Sequence, residues 1–444
     1  LDQAHHAVDR FGGLMIQRLV DIPGTEALRA EVLREAERYY VDFSRYAQGN
    51  HELQAELAKV QFRLAAIYAQ LGRTQDAEKK YLESVTTFEM LQRRDHSSPS
   101  LQADLALCLH HLAALRKEQG RYSDALEYYR QAVFLLTPLV NRDRPQARFV
   151  REWAASQTNF GNLLWECSES EEASQRLIAT QKALEDYLQR DPTDRETHQI
   201  LIECRNTMVA ILLDSAPGQA EELLRANIHD LEHWEGRRST SSSGGLRGYP
   251  APTCQLAIAQ NNLAMLLGRQ QKFAEAMRLV EASIDTLSQT VAEQPAPCSS
   301  QQQLAIAQNN RGQLLWSQSP NALAGESFCA AEAIFRQQLS ANPPTPETLS
   351  RLGGVLHNRG TMEQHQGDLD SAVQHLTEAM ELQALAIRKA PQNHGYRKYL
   401  ELHRELLDRI LRQIHQQTEA AREPPQVAAT QDFAVSSSGQ NGGF

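Results

Sequence analysis

The sequence predicts an all-α protein, an α-solenoid of antiparallel helix pairs, and three observations lead there. The heptapeptide Leu-Ala-Ile-Ala-Gln-Asn-Asn begins at Leu256 and recurs unchanged at Leu304, 48 residues later. Small residues that each open a leucine-rich or aromatic pattern fall at Ala77, Ala125, Ala173, Ala220, Ala276, Ala324 and Ala372, in steps of 48, 48, 47, 56, 48 and 48. The composition, 41% hydrophobic and 23% charged with 6% aromatic residues, suits a soluble helical chain. A 444-residue chain ordinarily implies two or three globular domains. A repeat array needs no such division, because each unit packs only on its neighbours.

Residues 1–50 predict a degenerate N-terminal helical pair. Asp2–Val20 has helical periodicity, Asp21-Ile22-Pro23-Gly24-Thr25 breaks it, and Leu28, Val32, Leu33, Ala36, Tyr39, Tyr40 and Phe43 resume it. Repeats then occupy 51–235. In the first, Phe62, Leu64, Ala65 and Tyr68 line one helix and Ala77, Tyr81, Ser84 and Val85 the next; Leu112, Ala113, Ala125, Tyr129, Ala132 and Val133 restate the pattern. Small residues at Ala65/Ala77 and Ala113/Ala125 let the two helices approach closely. Gly72 and Gly120 end the first helix of each pair, and Ser168 stands where the third unit should have glycine. The fourth unit, marked by Thr207, Met208, Ala220 and Leu224, is the weakest. The single long step places a Ser/Gly-rich insertion at 236–253, predicted to be a flexible surface loop. Repeats resume over 254–394, and a capping helix follows at 395–417, with Leu400, Leu406, Leu407, Ile410, Leu411 and Ile414 on its apolar side. Residues 418–444, rich in Pro, Ala, Ser, Gln and Gly, are expected to be disordered.

These phrases resemble the tetratricopeptide repeat, which places Leu-Gly/Ala and Tyr on a first helix, Gly at the turn, and Ala, Tyr/Phe and Ala on a second. The resemblance covers residues 58–380 in seven units and departs in its period, 48 residues instead of 34. The added residues imply longer helices. The Asn-Asn-Leu-Ala phrase is similar to the long repeats of kinesin light chains. The opening, Ala7-Val8-Asp9 through Arg18-Leu19-Val20-Asp21-Ile22-Pro23-Gly24 and on to Tyr39-Tyr40, looks like the region after the kinase domain in planctomycete-type bacterial serine/threonine kinases. That resemblance implies a sensor or docking arm whose catalytic domain lies upstream, in a membrane-anchored parent. Residue 1 is then a cut within a longer protein.

The chemistry-bearing motifs point away from catalysis. Kinase loops, a G-x-S-x-G elbow and a Walker loop are all missing from the sequence. The six cysteines include no C-x-x-C pair and read as reduced structural thiols, which places the chain in the cytoplasm. His229-Asp-Leu-Glu-His233 has metal-like spacing, but with no further ligand identifiable its histidines read as exposed helix-end residues. His5-His6 and His110-His111 read as one covered and one exposed residue each. No cofactor is expected. A net charge of −10 disfavours nucleic acid, and no apolar run is long enough to span a membrane.

A protein or peptide partner remains, and a column of asparagines suggests where it binds. In repeat register Asn159, Asn206, Asn262, Asn310 and Asn358 share one position on the first helix. The tetratricopeptide resemblance turns that position toward the concave groove, together with the residue before it and the one three after. The candidate groove thus holds Asn159, Asn162, Arg205, Asn206, Asn261, Asn262, Asn309, Asn310, Gln313, His357 and Asn358. An amide is donor and acceptor at once, so it can grip a peptide backbone whatever the peptide's sequence. The alternative is that the column bonds the backbone of the next repeat.

Overall fold

The computed structural model describes residues 26–47, 53–213, 215–233, 252–293, 298–318, 322–341, 344–391 and 393–422. Outside them lie the expected helix Asp2–Val20, the pair His5-His6, the kinase-like opening up to Gly24, nearly all of the insertion, and residues 423–444. The described residues form sixteen α-helices and no strand. Helix α1 (Glu26–Ala47) packs on the first of seven hairpins. These are α2 (Gln54–Gln70) with α3 (Thr74–Arg94), α4 (Pro99–Glu118) with α5 (Tyr122–Val140), α6 (Ala147–Glu166) with α7 (Ser170–Arg190), and α8 (Arg195–Leu212) with α9 (Pro217–His233). The rest are α10 (Pro252–Arg269) with α11 (Phe273–Glu293), α12 (Cys298–Gln318) with α13 (Ala322–Ala341), and α14 (Pro346–Gln366) with α15 (Leu369–Lys389). Helix α16 (His394–Arg422) closes the array.

Local chemistry sets the ends of these helices. Ser98, Asp194 and Thr345 accept hydrogen bonds from Leu101, Thr197 and Thr348 backbone N–H groups, which the first turn leaves without intrahelical partners. In five of the seven hairpins the described turn uses one left-handed residue, a glycine at Gly72 (φ 72°), Gly120 (φ 74°) and Gly367 (φ 84°). Ser168 and Gln271 take the same conformation at φ 69° and 63°, so the chain turn, not the residue type, is what repeats.

Every alanine of the 48-residue series is fully buried. Four residues on lie Tyr81, Tyr129, Leu177, Leu224, Val280, Phe328 and Leu376, all buried against the first helix of the same hairpin. That helix answers with a small residue: a Cβ on Gly312 would sit 2.6 Å from the Phe328 ring, so glycine is what lets a phenylalanine fill this junction. A third column, Ser84, Ala132, Thr180, Asn227, Ser283, Ala331 and Ala379, has no exposure at all. Its polar members are satisfied: Ser84 and Ser283 donate to the Ala58 and Ala257 carbonyls at 2.8 and 2.7 Å.

Each first helix packs on its own second helix, on the preceding second helix, and edgewise on the next first helix. Second helices do not pack on one another, so they form an outer layer and the first helices an inner one. The result is an α-solenoid of antiparallel helix pairs with the first helices on its inner side. One junction departs from this rule. Helices α8 and α10 do not pack edgewise; α9 fills the space, with Leu231 buried against Ile202 and Leu256.

Three expectations are corrected. The last helix extends past Gln417, so residues 418–422 are helical rather than disordered. Within it Leu411 is 46% exposed, because the neighbouring α15 covers only the Leu406–Ile410 side. In the fourth unit, α8 starts 48 residues after α6, and Met208 and Val209 take the places of Phe160 and Gly161. The missing residue therefore lies in the turn after α8. Asn206 is the equivalent of Thr158 and Asn261, and Thr207 is the column residue.

Candidate binding groove

The inner layer carries the asparagine column, and the helices show why its members differ. The column residue of one repeat meets the residue that precedes the column in the repeat before. Asn358 donates to Asn309 Oδ1 at 2.8 Å, and Asn310 donates to Asn261 Oδ1 at 3.2 Å. Asn309 in turn donates to Asn310 Oδ1 at 3.5 Å, which joins α14, α12 and α10 by one chain of amides. Earlier in the array Asn159 lies 3.4 Å from His110 Nε2, and the Phe62 and His111 rings meet edge-on at 5.1 Å. The bonds across these junctions run between side chains and not to a neighbouring backbone.

Where α8 and α10 stand apart, this pairing stops. Asn206 accepts instead from Asn227 of α9 at 2.9 Å, and Asn262 is exposed with no hydrogen-bond partner among the described residues. Half-buried Asn162 and Gln313, three residues beyond the column, have side-chain amides with no such bond. Asn159 is exposed beside them. Arg205 is not at the groove surface: it is buried between Glu185 of α7 at 3.0 Å and Asp230 of α9 at 2.6 Å. Its two carboxylate partners balance the charge that burial would otherwise penalise. His357 is half-buried, lies 3.0 Å from His403 Nδ1 of α16, and is held below the ordinary histidine range by burial.

The candidates thus fall into two sets. Asn261, Asn309, Asn310 and Asn358 spend their amides on each other, whereas Asn162, Asn262 and Gln313 keep donor and acceptor available. Periodicity marks the column but cannot separate the sets, because the division depends on how closely two first helices approach. The positions lining the inner face of α6–α14 are mostly neutral, with Met265, Thr361 and Gln364 beside the amides; the charged groups at its edge include Lys117, which pairs with Glu166 at 2.7 Å.

Other candidates are structural. His110 is buried and bonded to Ser156 at 3.0 Å, while half-buried His111 stacks on Tyr81. His233 Nδ1 is 2.8 Å from the His229 carbonyl, and no group of three or more His, Cys, Asp or Glu stands together among the described residues. Burial pushes the Cys108 and Cys204 thiols up to about 12, which makes them inert. No described helix is long and apolar enough to cross a membrane.

Known proteins share this architecture. The tetratricopeptide-repeat family profile matches residues 105–133 and 256–291. No curated protein matches the chain. Among solved structures, the apo form of RapI superposes with a TM-score of 0.51 at 9% identity, over 75% of this chain and 99% of that one. A tetratricopeptide repeat protein from Parabacteroides merdae gives 0.41 at 13% identity, over 78% and 98% of the two chains. A Rap protein complexed with competence and sporulation factor gives 0.46 at 12% identity, over 88% and 99%. At such identities the likeness is one of fold.

Proposed function

We propose that this chain is a non-catalytic interaction scaffold that captures an extended, uncharged stretch of peptide in its concave groove. The observation that carries the reading is the division of the asparagine column. Asn262 of α10, with Gln313 on the neighbouring α12 and Asn162 two repeats away on α6, presents free amides on a surface otherwise rigidified by amide-to-amide bonds. Backbone carbonyls and N–H groups of an extended peptide match such groups without regard to side chains. Edges with fixed geometry lose little freedom on binding, which favours affinity.

Neutral lining has a consequence for salt. Binding through amides involves no ion pairing, so raising salt from about 0.05 to 0.5 M should change Kd by less than about twofold. An acidic or basic peptide held by charges would weaken far more. The test is selection of peptides from an unbiased twelve-residue display library on the wild-type chain, followed by fluorescence anisotropy with a selected peptide. The expected result is binding that is lost with Asn162→Ala, Asn262→Ala and Gln313→Ala together and is insensitive to salt. Peptides that bind the triple variant unchanged would place the site elsewhere.

A further inference from the structure

The junction between the last hairpin and α16 is built differently from every other, and the difference is polar. One column of the second helices reads Phe88, Leu136, Leu184, Leu231, Leu287 and Phe335, each buried against the following repeat. Its last member is Gln383, with no exposure, facing α16. Gly353 of α14 stands where earlier repeats have Ala257 and Ala305. A Cβ at Gly353 would crowd the Ala379 carbonyl at 3.3 Å and touch His403 Nε2 and Gln383 Oε1 at 3.6 and 3.7 Å, so glycine lets α14 lie close against α15 beside both polar groups.

His403 of α16 is 2% exposed, and its Nδ1 lies 3.0 Å from Nδ1 of His357 on α14, the rings 5.0 Å apart. Gln383 fixes the third side by donating to the Tyr396 carbonyl at 3.0 Å. We propose that His357 and His403 form a pH-operated latch that holds α16 on the array at neutral pH and releases it in acid.

The Nδ1–Nδ1 contact needs one donor and one acceptor, so the docked pair holds at most one extra proton. Two imidazolium rings would face each other N–H to N–H. Once α16 is released, both rings meet water and both can charge, so opening takes up protons. Among the described residues no carboxylate compensates. From α15 the pair is faced by Gln383 and the Ala379 carbonyl, and the flanking charges of α16, Arg404 and Glu405, are exposed. On α14 the nearest ion-paired group is Arg359, two residues beyond His357, which is held by Glu332 of α13 and by Glu363 at 3.4 Å, while Glu363 also meets His375 at 2.7 Å.

Burial and the facing His357 hold His403 down to about 4, against 6.5 for a free imidazole. A folded value below the unfolded one gives stability that is complete above 6.5 and is lost as pH falls toward 4. From His403 alone, α16 should open about thirtyfold more often at pH 5.0 than at pH 7.5.

The latch needs no ligand, so it stands or falls apart from the groove. Hydrogen exchange of the whole chain, corrected for the intrinsic pH dependence of exchange, reads it directly. The expected result is a rise of about thirtyfold in residues 394–422 between pH 7.5 and 5.0, with α2–α6 unchanged, and no rise in His403→Gln. A rise shared by all helices, none in α16, or one that persists in His403→Gln would overturn it. Should that variant leave α16 open at both pH values, the ring resonances of wild-type His403 decide: a midpoint near 6.5 in place of about 4 rejects the latch.

Discussion

Asn262 and Asn310 are the same residue at the same repeat position, yet one is exposed with no side-chain partner among the described residues and the other donates to Asn261. The distance between neighbouring inner helices makes the difference. Replacing Asn310 or Asn358 by alanine removes a side-chain bond between repeats, worth about 0.5–1.5 kcal/mol net, and leaves the partner amide wanting. Each should lower the melting temperature, whereas Asn262→Ala should leave it unchanged; equal melting curves would mean that the amide chain contributes no stability. Thiols offer a second check on residue placement. Cys329 is exposed while Cys108 and Cys204 are buried with raised pKa values, so a thiol reagent at pH 7.5 should modify Cys329 first. It should reach Cys108 and Cys204 only on unfolding, and early labelling of Cys108 would show that α4 is not packed as described.

Each hairpin depends on a close approach of two helices. Ala125→Leu, at a position with no exposure, should overpack α5 against α4 and cost about 1–3 kcal/mol. Glu127, exposed on the same helix and paired with Arg130 at 2.6 Å, should tolerate leucine; similar losses at the two positions would put α5 in the wrong register. This much is readable from sequence, because an alanine that must be small recurs wherever two helices meet. Ser84 is legible on the inner face of its helix, but Thr180, Asn227 and Ser283 of the same fully buried column are not, since threonine, asparagine and serine read as surface residues until the groups they bond are known. The fourth unit is hard to read from sequence for a related reason. Its lost residue sits in the turn after α8, but alignment on Ala220 shifts the whole of α8 by one and makes buried, ion-paired Arg205 look like a groove residue. Pairing across a junction depends on spacing in three dimensions, so the split of the asparagine column has no trace in the periodicity.

Across the whole chain, contacts between successive hairpins predict an extended superhelix, so small-angle scattering should report an elongated particle and circular dichroism a helical spectrum without strand. A compact profile would contradict the stacking order. The central claim is that one column both ties repeats together and leaves a free amide for a peptide. The most direct measurement is Kd for one library-selected peptide, taken beside the melting temperature, for wild type, Asn262→Ala and Asn310→Ala. The account predicts that Asn262→Ala weakens binding about 2- to 12-fold at unchanged melting temperature, while Asn310→Ala lowers the melting temperature and binds within about twofold of wild type. Binding unchanged in Asn262→Ala, with the affinity lost in Asn310→Ala instead, would contradict it.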